Sequence, residues 1–388
     1  MKQSSLAILQ IIPRLDAGGA ERTTIDIAAA LGDAGHIALV ASEGGRLEPE
    51  LRATGATLLR LPVASKNPLT IFRNIRRLKN IITEHRVTLI HARSRAPAWS
   101  ALYAAKQAGI PFVTTHHGTY AARNAWKRWY NSVMFRGNAI IANSEWTADC
   151  IRNNHAASPK RLVTIPRGID LTLFDPSRFT NQDRNELRTA WGASVQSCVV
   201  LLPGRLTRWK GQLVLIEALS RLSEAGNLPA GLRVVIAGDA QGRKSYAEEI
   251  KNAVTKAELK EIVTLPGHIS HMAPAYLAAD IVISTSTEPE AFGRIAVEAG
   301  AMGRPVIATD HGGARETIMP GESGLLVPPG DPSALCDALV RLLGVSQVER
   351  REMGIKARAY VGARYSIEKM CANTIGLYLF LVKSHGIS

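Results

Sequence analysis

Short apolar runs alternate with longer amphipathic segments along the whole chain, and nothing else in the sequence limits the fold as tightly. Ser5 to Pro13 reads as the first strand, and further strands fall near 37–41, 56–61, 87–91, 111–115, 138–142 and 161–165. Helices fit between them, and regular alternation of this kind gives a parallel sheet covered on both faces. The rhythm breaks from about Pro166 to Gly192, where polar, Pro- and Asp-containing sequence reads as an interdomain connection and one short helix. It resumes at Cys198 to Leu202 and continues near 232–237, 262–266, 280–284, 304–308 and 324–327. Two α/β domains in tandem, with a cleft between, are therefore expected, as suits a chain of 388 residues. The tail, Ser366 to Lys383, reads as one more helix.

The strand ends of the second series hold the residues with chemistry. Pro203-Gly204-Arg205 follows its first strand and leads through Arg208, Trp209 and Lys210 to Gly211, where a helix opens. Arg205 can fork onto phosphate oxygens and Lys210 is a compact charge for a second phosphate, so the loop suits a diphosphate. Arg208 reads as solvated. Gly238 and Gly267-His268 follow two further strands and fit loops where backbone approaches a flat ligand. The stretch Glu288 to Glu298 leaves the strand Ile281 to Ser284 and enters an Ala/Gly-rich helix from Ala296 to Met302. Glu298 is expected two turns into that helix, up to ~12 Å along it from Glu290. That separation suits one carboxylate on a ribose diol and the other on a sugar hydroxyl, with diphosphate between. Glu288 reads as a helix-cap acid. In the first half, Gly18-Gly19 follows the first strand without forming GxGxxG, and reads either as a tight turn or as a ligand-approach loop.

Charge separates the halves. Residues 1–180 hold 24 Lys and Arg against 12 Asp and Glu, leaving little of the net +14 for the remainder. A one-sided basic field implies an anionic partner. The helix Ile71 to Lys79 and the helix Ala121 to Phe135, with Trp126, Trp129, Lys127, Arg123 and Arg128, fit either an acidic membrane surface or docking on the sheet with a solvated basic back. Nucleic acid is excluded as the partner: no recognition signature is present, and Glu290 and Glu298 would repel phosphate backbone. No apolar run reaches the ~20 residues of a membrane span. The Met1-Lys2 start lacks a signal-cleavage pattern, so a cytoplasmic protein is expected. Cys150, Cys198, Cys336 and Cys371 are scattered, which suggests neither zinc nor disulfides.

At these residues the sequence resembles glycosyltransferase family 4, retaining sugar transferases of the GT-B fold. The resemblance spans essentially the whole chain. It rests on Glu290…Glu298 with Phe292-Gly293 between, Gly204-Arg205…Lys210-Gly211, Gly18-Gly19-Ala20-Glu21, and Thr115-His116-His117. It implies two Rossmann-like, doubly wound domains facing across a cleft: residues 1–170 for the acceptor and 171–365 for a nucleotide-diphosphate sugar, with a last helix, about 366–388, crossing back. It implies that Arg205 and Lys210 neutralise the departing diphosphate without a metal or other cofactor. Glu290 and the Phe292-Gly293 amides would then hold the transferred sugar and Glu298 the ribose. His117 would lie at the sugar's C6 side, and Gly18-Gly19 would approach phosphate or acceptor. The acceptor hydroxyl would attack from the face the nucleotide leaves, passing its proton to the leaving phosphate oxygen. The expected acceptor is a lipid-linked or lipopolysaccharide glycan precursor at the inner membrane face. The alternatives are a soluble acceptor or, further off, a nucleotide-sugar epimerase. One departure stands out: Arg167-Gly168-Ile169-Asp170 replaces the family's usual Asn-Gly-Val-Asp, and Arg167 is expected to contact an anionic acceptor.

Overall fold

The computed structural model describes residues 5–16, 18–118, 124–154 and 161–387. The chain divides into two compact units, Met1–Gly168 with Ile367–Ser388, and Ile169–Ser366. The first unit runs β1 (Ala7–Ile11), α1 (Gly19–Asp33), β2 (Ile37–Ser42), α2 (Glu48–Ala53), β3 (Thr57–Arg60), α3 (Pro68–Glu84), β4 (Leu89–Ala92), α4 (Arg95–Ala108), β5 (Phe112–His116), α5 (Ala125–Asn131), β6 (Ala139–Ala142), α6 (Glu145–Asn154) and β7 (Leu162–Thr164). Its strands are all parallel, in the order β3-β2-β1-β4-β5-β6-β7. Chain order reverses between β1 and β4, which makes their carboxyl ends a switch point.

The second unit begins with α7 (Asn181–Ala190), started by a reciprocal Thr180–Asp183 capping box. It continues as β8 (Cys198–Pro203), α8 (Gln212–Glu224), β9 (Leu232–Ala237), α9 (Lys244–Lys256), β10 (Val263–Gly267), α10 (Met272–Ala278), β11 (Ile281–Ser284), α11 (Arg294–Ala301), β12 (Val306–Thr309), β13 (Gly324–Val327), α12 (Pro332–Gly344) and α13 (Gln347–Arg364). The sheet order is β10-β9-β8-β11-β12-β13, again parallel, with its switch point between β8 and β11. Residues such as Val200, Leu202, Ile281, Ile283 and Ile307 are buried on one face, and Val199, Leu201, Val282, Val306 and Ala308 on the other. Burial on both faces explains why these strands read as unbroken apolar runs.

The chain then rejoins the first unit as α14 (Ile367–Ser384), which lays Met370, Cys371, Tyr378, Leu381 and Val382 into the core formed by Leu6, Ile8 and the α1 residues. Tyr378 also meets β4: its hydroxyl and His91 Nδ1 share a short hydrogen bond, and the rings meet edge to face. The imidazole's other nitrogen reaches Thr115 Oγ1 at 2.6 Å.

Two helix expectations need correction. The basic aromatic helix is shorter than the 121–135 span: Asn124 caps its start through Lys127 N, and after Asn131 the chain tightens into a 3₁₀ turn, Ser132–Phe135. Ala121 to Arg123 lie outside the described residues. The helix carrying Glu298 begins at Arg294, capped by Gly293, so Glu298 stands one turn inside it, not two. All four cysteines are free thiols. Among the described residues no helix is long and apolar enough to cross a membrane.

Removing the Tyr378 hydroxyl strands a buried imidazole nitrogen. Tyr378→Phe is expected to cost about 1–3 kcal/mol of stability, read from the urea midpoint. An unchanged midpoint would show that α14 is held by apolar contact alone.

Candidate active site

The second unit's switch point is built by backbone approaching backbone. Gly204 N donates to Ala237 O at 2.8 Å and Gly238 N to Gly267 O at 2.8 Å, which ties together the carboxyl ends of β8, β9 and β10. A Cβ on Gly238 would stand 1.8 Å from Gly204 O, so no other residue fits. Beyond Gly204 the loop makes a 3₁₀ turn, Arg208–Lys210, and Gly211 takes a left-handed φ of 71° to start α8. Its Cβ position lies 2.0 Å from Thr285 O, just past β11. Thr287 N donates to Trp209 O at 2.7 Å and Thr285 Oγ1 to Lys210 O at 3.1 Å. The loops after β8 and β11, the two strands flanking the switch point, are thus locked together.

That lock places Lys210 against Glu290. Nζ and Oε1 are 2.7 Å apart, with side chains only 11% and 14% exposed. Ser286 Oγ donates to the same carboxylate oxygen, and the ammonium sits 4.4 Å from the Trp209 ring centroid. Lys210 is expected on the diphosphate and Glu290 on the transferred sugar, and the structure pairs the two side chains directly. Arg205 is exposed, and its guanidinium makes no hydrogen bond or ion pair among the described residues. Arg208 is held by Glu249 at 2.9 Å.

Glu298 is buried, with Tyr276 donating to Oε2 at 2.8 Å and Arg294 Nε to Oε1. Burial and the adjacent Glu298 hold the Tyr276 phenol well above its usual range, so it remains a donor. A carboxylate has about four lone-pair positions, which leaves Glu298 further acceptor capacity. Phe292 is buried edge to face on Tyr365, 5.5 Å between centroids, and Gly293 takes φ 82° as the cap of α11. His268 is exposed just after Gly267, and Glu288 is exposed as well. Tyr276, Arg294, Ser286 and His311, whose Nε2 meets Ser286 O at 2.8 Å, escaped the sequence reading. Each acts through a neighbour brought close only by the fold.

The first unit gathers its four expected residues, Gly18, Gly19, His117 and Arg167, around its own switch point. Gly18 caps α1 at φ 141°. Arg167 lies over Gly19, where a Cβ would meet Nη1 at 2.3 Å, and its Nη2 is 3.1 Å from His117 Nδ1. His117 Nε2 is buried and finds no partner among the described residues. Arg93, at the end of β4, was not anticipated. It is 3% exposed, and its Nε donates to Gln10 Oε1 at 2.9 Å. A basic residue directly after an apolar strand was the available signal. Burial pushes the His117 imidazole well below its usual range, aided by Arg167 and Arg93. His91 is likewise depressed by burial, then by Arg93. The pocket is therefore cationic through arginine, with its histidines neutral.

Two family models match the chain: glycosyltransferase family 4 over residues 17–173 and glycosyl transferases group 1 over residues 197–344. A glycosyltransferase from Rickettsia africae is similar at 33% identity and a TM-score of 0.90, over 98% of this chain and 100% of that one. The chain belongs to glycosyltransferase family 4 and has the paired Rossmann-like domains of the GT-B transferases. Alr3699/HepE of Anabaena, whose structures hold UDP or UDP-glucose, is 25% and 26% identical over 96% of this chain and 99% of its own, with TM-scores of 0.81 and 0.78. The D-inositol 3-phosphate glycosyltransferases of Xylanimonas cellulosilytica and Corynebacterium glutamicum are 32% and 30% identical over 60% of this chain. The chain spans little more than half the length of these relatives, 53% and 58%.

The neutral histidines set a pH dependence. The unfolded chain protonates them near pH 6.5 while the folded chain does not, so stability falls as pH drops from about 7 to 5. The double variant His91→Gln, His117→Gln should flatten that decline in urea midpoint. An identical slope would assign it to other groups.

Proposed function

We propose that this chain moves a hexosyl group from a nucleoside diphosphate sugar to a hydroxyl of a soluble, anionic acceptor such as a phosphorylated polyol. The observation that carries the acceptor half is Arg167 laid over Gly19 at the start of α1, beside His117, with buried Arg93 contributing to the same field. A helix start, a guanidinium and close backbone are the equipment of a phosphate site. The relatives named for D-inositol 3-phosphate support the same chemistry, and the nucleotides in Alr3699/HepE support the donor. This is the soluble-acceptor alternative, which these findings favour over a lipopolysaccharide precursor.

In the second unit, Arg205 and Lys210 would take the charge that grows on the leaving diphosphate. Ser286 and Lys210 fix the Glu290 carboxylate, which would accept from the sugar hydroxyls. Tyr276 and Arg294 would hold Glu298 for the ribose, and the Gly293 turn would present amides to the sugar. Gly204 and Gly267-His268 would border the base. The acceptor hydroxyl would attack as the nucleotide departs, its proton passing to the leaving phosphate oxygen, and the two cations do the work a metal could otherwise do.

A second reading, a lipid-borne acceptor with peripheral membrane contact, is favoured by one feature. A cavity of about 1030 Å³ in the first unit is lined by Phe72, Trp99, Trp126, Trp129, Lys66 and Lys127 among others. Trp126 is 73% exposed and stacks at 5.0 Å on Trp129, which stacks at 4.5 Å on Trp99. Amphipathic aromatics beside lysine suit an anionic headgroup layer.

Lys210→Ala is expected to lower kcat by about 10²–10³; near-full turnover would remove it from the mechanism. Arg167→Ala should raise KM at least tenfold for a phosphorylated acceptor and leave the unphosphorylated polyol unaffected. Tight, salt-sensitive flotation with acidic vesicles, combined with turnover only of lipid-linked acceptors, would replace the soluble reading with the second one.

A further inference from the structure

The amino ends of the second unit's strands, opposite the ends that carry Lys210 and Glu290, hold a different concentration of charge. Asp280 immediately precedes β11, and Arg304 precedes β12 by two residues. A cavity of about 600 Å³ lies there, lined by Arg184, Arg304, Arg350, Arg351, Arg358 and Asp280, with apolar residues of α13 and the strand ends between them.

Its carboxylates do not balance its arginines. Asp280 accepts from buried Arg188 at 3.0 Å, lies 3.4 Å from Arg184, and also receives Val199 N at 2.8 Å. Arg358 is met by Asp175 at 3.1 Å. Arg350 spends its guanidinium on backbone carbonyls at the end of α12, including Val345 O at 2.7 Å, and has no carboxylate partner among the described residues. The guanidiniums of Arg304 and Arg351 make no hydrogen bond or ion pair among the described residues. Two Nε atoms, of Arg304 and Arg184, are buried and unpartnered. Burial, then the neighbouring Arg184, pulls Arg304 down to about 10, so it is still a full cation at neutral pH. A largely buried charge facing two other arginines, with a free N–H, is costly for folding unless an anion completes it.

We propose that this cavity is a second anion site, for a small molecule carrying a phosphate group of two or more negative charges. Planar guanidiniums on several sides match phosphate oxygens in a way isolated lysines would not. The volume falls within the ~300–1,000 Å³ of small-ligand pockets, room for an ester group beyond the phosphate. The site draws on none of the donor or acceptor residues, so it stands or falls separately from the proposed transfer.

Pyrophosphate is a suitable probe, titrated calorimetrically into the full chain carrying Lys210→Ala, which disables the donor diphosphate contact. Saturable binding is expected, at least tenfold weaker when Arg304→Gln is added, with circular dichroism reporting that the fold is intact. Arg351→Glu, an exposed change that leaves the core untouched, should weaken binding by a similar factor and covers the case in which Arg304→Gln fails to fold. UDP binding to the Arg351→Glu chain with Lys210 intact should be unchanged. Absence of pyrophosphate binding to the Lys210→Ala chain, or an affinity that neither arginine variant lowers, overturns the proposal.

Discussion

Everything in the second unit's site depends on how closely its strand-end loops approach one another. The carbonyl of Gly204 fills the space where Gly238 would carry a Cβ, and the carbonyl of Thr285 does the same at Gly211. These are main-chain contacts and cannot be relieved by a change of rotamer. They fix the loop after β8 against the loop after β11, and the Lys210–Glu290 pair follows. With both side chains nearly buried, the pair is held by loops that have little freedom to separate, so the lysine's charge is positioned before any ligand arrives. Preorganised charge of this kind is what transition-state stabilisation requires.

The first unit solves a related problem with the opposite distribution. Its switch point has arginines and no carboxylate at hydrogen-bonding distance from Arg93 or His117 in the bonds described above. Burial, with the field of Arg93 at His91 and of Arg167 and Arg93 at His117, keeps both imidazoles neutral. Neutral histidine can accept a proton or hydrogen bond where imidazolium cannot, so the arginines set the chemistry of His117 as well as the charge of the pocket.

The sheets were readable because parallel strands buried on both faces leave unbroken apolar runs, and the strand ends followed from that. Gly18-Gly19, Gly204-Arg205, Lys210 and Glu290 stood out because each lies in the stretch that leads from such a run into the helix that follows it. What could not be read was who meets whom. Lys210 and Glu290 are 80 residues apart, His91 and Tyr378 are 287 apart, and nothing local marks either pair. Glu298 lies one turn and not two into its helix because Gly293, a left-handed cap, keeps the residues before Arg294 out of it. Arg93 carried a signal in its place directly after an apolar strand, whereas a lone tyrosine such as Tyr276 carries no sign in sequence of being buried against a functional neighbour.

The return of α14 makes the second unit an insertion within the first. Its two ends are adjacent: Ile169 N donates to Tyr365 O at 2.7 Å, and Ile169 bridges Ser366 in parallel. As the ribosome releases the chain, residues 169–366 can complete a core of their own while the earlier-made unit still lacks the helix that seals it. His91 and the α1 face wait for Tyr378 and its neighbours, which follow Gly168 only after the whole of the second unit. The portion synthesised first is thus the one whose core waits for the last helix of the chain.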